Sequence, residues 1–527
     1  MKHGTKVITL EDRRELFLDD FLIHSMSKGV ERRLHHPVRR EVVLTVDEPH
    51  ERGNVSNYHS IVRDNDRWLY YYRGRGMIAT PEFNTCDHEV LCVAETFDGI
   101  HFKKCQVNLL PEGYNVVLNE EMTKDIPSGP INTCPGDSTV FLDTNPDCLP
   151  EERFKMIVTD ELPPASHWGM YLFVSQDGFR FTRKSRERFK LSPLSRYDSA
   201  NLAFFDHEIG EYRIYHRRFR TVNGCGRRTI MTHRTKDFIH FYGGETLKFD
   251  ADFERLFRAG QQLYTNNIGP YFRAPHILLG FPARYYDGPG NGAQPEDWNI
   301  SLLTLPGLSL RAFHSDKSMR LGTALTETVL IAGRDGVHFK GFGEAFLRPG
   351  PQQDTSNWFY GDTYFASGMI PTASDQGHGA PDELSFYFTE SGFSSEPSRI
   401  RRCSIRMDGF VSLHFSASGG LMQTPPFTFK GGRLTLNMET GAFGRFRAGF
   451  LDENGKSIPG YTIDDACPET GDSLELIARW KKKGCDLRCL EGRIVSLRIQ
   501  ARDADLYSLR FVPYEPDPAM PVLPVKK

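Results

Sequence analysis

The sequence contains no run of about 18 apolar residues, the length a helix needs to cross a bilayer. Its start, Met1-Lys2-His3-Gly4-Thr5-Lys6-Val7, turns charged at Glu11-Asp12-Arg13-Arg14-Glu15, with no apolar core of a secretion signal; a cytoplasmic location is expected. Charge of one sign is also missing. The formal net charge is -3, so neither nucleic acid nor a membrane is an expected partner. Ten cysteines are scattered without a C-x-x-C pair, and Cys485 and Cys489 lie beside charged residues, which reads as reduced thiols. A Gly-rich phosphate loop, a His-Glu-x-x-His string and a nucleophile elbow are absent. No stretch shows a helical period of useful length.

What is abundant points the other way. Phe (38), Tyr (20), Gly (47) and Pro (32) suit short strands joined by tight turns. One pattern recurs: a strand, then Asp-Gly, then an aromatic three residues after the Gly. It occurs at Asp98-Gly99, Asp177-Gly178, Asp237-Phe238 (Phe replacing Gly), Asp335-Gly336 and, degenerate, Asp408-Gly409. Asp can bond the backbone two residues on, and Gly accepts positive φ, so each copy reads as a hairpin turn. Alternating runs surround the turns, such as Trp68-Leu69-Tyr70-Tyr71-Tyr72, Phe154-Lys155-Met156-Ile157-Val158 and Tyr212-Arg213-Ile214-Tyr215. About four strands per unit and five units predict an all-β fold: a five-bladed β-propeller followed by a C-terminal β-sandwich. The fourth unit is read as starting at His276-Ile277-Leu278-Leu279-Gly280-Phe281. After Ser416-Ala417-Ser418-Gly419-Gly420, shorter alternating runs separated by turns such as Glu453-Asn454-Gly455 carry the sandwich signature. The expected division is 1–40 as an N-terminal extension packing on the propeller, 41–413 as the propeller and 414–527 as the sandwich. The run Leu16-Phe17-Leu18 is a candidate to close the ring or cover a blade.

The turn pattern resembles the blades of five-bladed glycosidases, the invertase, levansucrase and arabinanase families, and of the related mannoside phosphorylases. The strings Leu16-Phe17-Leu18-Asp19-Asp20, Tyr197-Asp198-Ser199-Ala200-Asn201, Ala274-Pro275-His276-Ile277 and Arg406-Met407-Asp408-Gly409-Phe410 look like those of a bacterial branch of this superfamily. The Asn-Asp-Pro, Arg-Asp-Pro and Glu-Cys strings of invertases are missing at the expected places, so catalytic positions do not carry over. The resemblance implies a site in the axial funnel, at the end where each innermost strand begins.

Strand parity then offers candidates. Starts of first strands give Asp137, Asp198, His276 and Asp362. Ends of second strands give Arg73, Asp160, Glu161, Arg217, Arg218 and Glu390, and a third-strand start gives Glu327. Glycoside cleavage needs one carboxylic acid to protonate the leaving oxygen and a second carboxylate as base or nucleophile. The expected acid–base pool is Asp198, Glu327, Asp137 and Glu390. His59, Arg73, Arg217, Arg273, His276 and Asp362 are expected to bind substrate. For each, a turn cap, a solvated charge or a core hydrogen bond is the plainer alternative. Trp68, Trp168, Trp298 and Trp358 are candidate sugar platforms. The expected activity is hydrolysis of a terminal glycosidic bond, a furanoside among the candidates, on a carbohydrate substrate. An inverting phosphorylase, for which Arg217/Arg218 and Arg273/His276 could hold phosphate, and a non-catalytic glycan-binding propeller stand as alternatives. No cofactor is expected; an axial structural cation and homo-oligomerisation are left open.

Overall fold

The computed structural model describes residues 7–51, 57–74, 89–119, 133–160, 168–185, 187–193, 195–286, 307–317, 319–353, 357–392 and 396–516. Glu161 and Trp298 lie outside them. The chain divides into two compact units, one of residues 36–405 and one joining 1–35 to 406–527.

In the 36–405 unit five sheets succeed one another, antiparallel apart from Lys248–Phe249, which pairs in parallel with His338–Leu347. Their inner strands, in order, include Ser60–Asp64, Thr133–Leu142, Leu202–Asp206, Ile268–Tyr271 and Ile370–Thr372. These strands surround one axial cavity of about 290 Å³, to which Val62, Val140, Ala203, Gly269 and Ala366 each contribute from a different sheet. This is the propeller arrangement. The sheets are not uniform four-stranded blades: among the described residues they hold five, four, five, seven and four strands.

The strand sequences reflect burial on both faces. Along Arg67–Gly74, Leu69 and Tyr71 pack with Val140, Phe154, Met156 and Val158 of the second sheet. Tyr70 and Tyr72, pointing the other way, pack with Leu44, Tyr387 and Ile400 of the fifth. A strand with a neighbouring sheet on each face has no polar position to spare, so the period-2 signal fades into a continuous apolar run.

The repeated turn has a defined job. In the first copy Asp98 Oδ1 accepts from Ile100 N and His101 N, both at 2.8 Å, and Gly99 takes φ 73°. The Gly carbonyl then receives a tyrosine from the preceding sheet. Tyr71 Oη donates to Gly178 O at 2.8 Å, Tyr215 Oη to Gly336 O at 2.9 Å, and Tyr387 Oη to Gly99 O at 2.6 Å. The last of these joins the fifth sheet to the first and closes the ring. In the copy with Phe238, that ring packs against Ile157 instead. The fifth copy differs: Asp408 itself has φ 62°, and its carboxylate is held by Arg14 and Ser508 in the other unit's core.

Three expectations change. The strand that completes the fifth sheet is Val38–Thr45, paired with Arg399–Arg406. Residues 8–34, expected as an extension on the propeller, supply strands that pair with Phe427–Phe429, Ser496–Val512, Gly420–Gln423 and Val411–Phe415, because Leu10, Phe17 and Leu22 complete the apolar core of that unit. Short helices form at Ala251–Arg258, Leu308–Lys317 and Met319–Thr323. The first is capped by Asp250, whose side chain accepts from Asp252 N and Phe253 N, and it buries Phe253 and Phe257 one turn apart.

In the second unit the long strands Arg433–Leu451 and Ser496–Val512 pair along most of their length, with register breaks between Asn437 and Met438 and between Thr440 and Arg445. Breaks of this kind bend a strand, which lets one sheet fold over a shared core. That core includes Phe427, Phe429, Phe450, Trp480 and Phe511. The described cysteines are free thiols. No helix among the described residues is long and apolar enough to cross a membrane.

Candidate active site

At the end of the propeller where inner strands begin, the described residues form an aromatic floor. Tyr58, Tyr264, Tyr360 and Tyr364 are buried together with Tyr285, Ala200 and Ala283. Tyr58 stacks on Tyr364 with centroids 6.1 Å apart, and Tyr264 on Tyr364 at 5.9 Å. Tyr264 and Tyr360 share a hydroxyl–hydroxyl bond of 2.5 Å.

Arg217 crosses this floor. Its guanidinium lies 4.1 Å from the centre of the Tyr264 ring, and its nitrogens donate to Asp198 O at 2.9 Å and Tyr264 O at 3.0 Å. Asp198 Oδ1 is 2.9 Å from Nη1 but lies off the N–H direction, so the pair is held by charge rather than by a good hydrogen bond. The Arg217 side chain is 1% exposed and that of Asp198 37%, so the carboxyl bridges the buried cation and solvent. Burial opposes the charge on Arg217, but Asp198 and the tyrosines outweigh it and raise its pKa further above the ordinary arginine value.

Asp137, from the second sheet, is linked to the floor through Arg73. It lies 3.6 Å from Arg73 Nη1, which also donates to Oδ1 of Asn57, the residue before Tyr58. Burial, then Tyr264, Tyr360 and Asp137, push the Tyr58 hydroxyl well above its usual range, while Arg217 opposes them. Asp198 thus borders the cluster through Arg217, and Asp137 through Arg73.

The other expected residues have partners of their own. Glu327 is bound by Arg284, at 2.9 Å from Nε and 2.5 Å from Nη2, across the strand pair Ala283–Tyr286 and Leu325–Gly333. Glu390 Oε1 accepts from Arg401 Nε at 2.7 Å, whereas its Oε2 is buried with no hydrogen-bond partner. Asp362 is fully buried and spends both oxygens on backbone, accepting from Phe359 N at 3.0 Å and Gly392 N at 2.8 Å. Burial, reinforced by Glu390, raises its pKa well above the carboxylate range. His59 is buried and contacts Tyr70 Oη at 2.8 Å; burial, then the charge of Arg73, push it down to about 3, so it is a neutral core residue. Arg73 is occupied by Glu89 and Asn57.

Two expectations fail on topology. The innermost strand of the fourth sheet is Ile268–Tyr271, and Ala274–Gly280 is the second. His276 and Arg273 therefore sit at the end of the sheet opposite the tyrosine floor, by the turn that joins these two strands. Asn266, rather than His276, stands before the inner strand, and its Nδ2 donates to Ala200 O at 2.8 Å. The described tryptophans take no part in the floor either. Trp68 and Trp168 pack against sheet cores, and Trp358 Nε1 donates to Gly350 O.

The strand Glu211–Val222 runs beyond its sheet. With Cys225–Thr235 it forms a hairpin closed by Asn223-Gly224, at φ 51° and 78°. This arm brings Arg228 to 5.0 Å from the Tyr264 ring. Among the described residues no group of three or more His, Cys, Asp and Glu side chains could hold a metal ion.

No family model and no curated protein sequence matches this chain. Solved structures similar to it include an N-acetylgalactosamine deacetylase from F. plautii, with 11% identity, a TM-score of 0.42, and coverage of 73% of this chain and 97% of that one. An endo-arabinase from Bacteroides thetaiotaomicron has 10% identity and a TM-score of 0.39, with 70% and 98% covered. An arabinoxylan arabinofuranohydrolase from Bacillus subtilis has 9% identity and a TM-score of 0.39, with 88% and 96% covered.

Proposed function

We propose that this chain is a glycoside hydrolase cleaving a terminal glycosidic bond, a furanoside among the candidates, with Asp137 and Asp198 as its acid–base pair. The observation that carries this reading is that Asp198 meets the tyrosine floor through Arg217, and Asp137, from the adjacent sheet, through Arg73 and Asn57 beside Tyr58. An aromatic floor offers a sugar ring an apolar face, and carboxyls on either side supply what bond cleavage requires. Asp137, the more enclosed at 9% side-chain exposure, is assigned as the acid that protonates the leaving oxygen. Asp198, open to solvent on one side, is assigned as the base or nucleophile. Glu327 and Glu390, each held by an arginine, are assigned to positioning.

Hydrolysis is favoured over phosphorolysis because the arginine that crosses the floor already faces a carboxylate. Arg217 is paired with Asp198, and Arg284 with Glu327. Reducing-sugar release from a panel of aryl glycosides and oligosaccharides, with and without inorganic phosphate, tests the reading. Asp198→Asn and Asp137→Asn should each lower kcat by about 100-fold or more with the fold intact. Strict phosphate dependence would overturn hydrolysis. A wild type that binds a glycan but turns over no member of the panel would make the chain a glycan-binding propeller.

A further inference from the structure

A second site is written on the other unit. Across its strands Gly420–Gln423, Ser496–Val512 and Arg433–Leu451, register places Leu421 beside Gln500 and Gln500 beside Arg447. The next row sets Arg502 directly opposite Arg445. The alternate residues Met422, Ile499, Ala501, Phe446 and Ala448 are core, so the arginine rows face away from it. There they line a groove of about 530 Å³ with Ser27 and Ser418, a size within the range of ligand sites.

The charges in this groove are uncompensated. Arg445 is steered by Gly444 O at 2.5 Å and Thr470 Oγ1 at 2.9 Å, neither of them an anion. The side chains of Arg447, Arg502 and Gln500 make no hydrogen bond or ion pair with any described residue. Like charges directly opposite on paired strands repel and destabilise the sheet. Setting Arg502 opposite Arg445, with Arg447 in the next row, is costly unless an anion joins them.

We propose that this groove binds a carboxylated glycan, a chain of uronic acid residues. Planar guanidinium forks match carboxylates two bonds at a time. The Gln500 amide and the Ser27 and Ser418 hydroxyls, set among the arginines, suit sugar hydroxyls rather than a second charge. Phe443, 82% exposed and two residues before Arg445, offers a ring face in solvent. A nucleic-acid strand would need successive aromatic platforms, and none lines the groove.

The test titrates the full-length chain calorimetrically with an oligogalacturonate, a neutral xylo-oligosaccharide of equal length and a single-stranded oligonucleotide. The oligogalacturonate should bind, and the neutral sugar should bind at least about tenfold more weakly. The double variant Arg447→Ala/Arg502→Ala should lose at least about tenfold in affinity for oligogalacturonate with its melting temperature not lowered. Arg488→Ala, which removes an exposed arginine elsewhere in this unit, should bind as wild type. Asp198→Asn should bind as wild type too, which separates this site from the propeller's. The proposal is overturned if oligogalacturonate fails to bind, if the double variant binds it unchanged, or if the oligonucleotide binds as tightly.

Discussion

Replacing Gly178 by Ala should weaken the seam between the first and second sheets far more than a glycine-to-alanine change at an open turn. Gly178 has φ 78°, and a Cβ there would lie 2.8 Å from both Leu69 Cδ1 and Tyr71 Oη. The left-handed backbone alone costs an L-residue about 1–2 kcal/mol. The added methyl must also displace Leu69 and Tyr71, which are 0% and 1% exposed and have little room to move. Overpacking of that kind costs about 1–3 kcal/mol. If the Tyr71 ring yields, the 2.8 Å bond to Gly178 O stretches and a buried carbonyl loses its donor, about 1 kcal/mol or more. The total is about 3–6 kcal/mol. Gly210→Ala is the control: φ is 66° but nothing lies within 4 Å of the new Cβ, so only the backbone term of about 1–2 kcal/mol applies. Guanidinium unfolding monitored by tryptophan fluorescence compares the two. Tyr71→Phe combined with Gly178→Ala should be less than additive, since both act on one contact. Arg73 lies two residues beyond Tyr71 on the same strand and 3.6 Å from Asp137. A shifted seam should therefore lower kcat in Gly178→Ala and spare it in Gly210→Ala. Equal destabilisation by the two alanines would refute the seam argument.

Other outcomes come from charge. At Asp98, Asp177, Asp237 and Asp335 burial opposes ionisation, but hydrogen bonds from the turn backbone and side chains outweigh it and hold each pKa below the ordinary value. Stability from these groups is present above about pH 4 and is lost as pH falls through their folded values, so Asp237→Asn should flatten the acid side of the melting profile. Asp362 has the opposite sign: its raised pKa means stability lost as pH rises, so Asp362→Asn should gain on wild type between about pH 4 and pH 8, and a melting-temperature difference that shrinks instead would reject this. Asp408→Ala strips the buried Arg14, 5% exposed, of its most enclosed partner, and about 3 kcal/mol should be lost. Calorimetry should show that loss in the transition of the unit containing residues 406–527, and an unshifted trace would count against it.

The propeller was legible because its turn must solve the same problem in each sheet. Asp to tie the backbone, Gly to admit positive φ and an aromatic three residues after it sit at fixed offsets. Ring closure was not, since Val38-Arg39-Arg40-Glu41 is as polar as a loop, which an outermost strand with one face in solvent can tolerate. The 251–258 helix is hard to read because eight residues give barely two turns of periodicity, although Asp250 as cap and Phe253 with Phe257 are its signal.

The site was half legible for a reason that lies in strand parity. Asp137 and Asp198 emerge from counting which strand ends share a face, and that count holds only while every strand is recognised. In the fourth sheet Gly269-Pro270 interrupts the alternation of Ile268–Tyr271 and hides the strand from a pattern of period two. One hidden strand inverts the apparent direction of every later strand in its sheet, so parity puts His276 and Arg273 at the wrong end. The tyrosines carry a signal of their own: Tyr58, Tyr264 and Tyr364 each stand just ahead of, or open, the inner-strand segment of a sheet. A tyrosine there packs with its counterparts from other sheets, and Tyr264 meets Tyr360 through its hydroxyl. Three sheets making that choice at the same place mark the floor of a site, whereas a single carboxylate at a strand end marks only a turn.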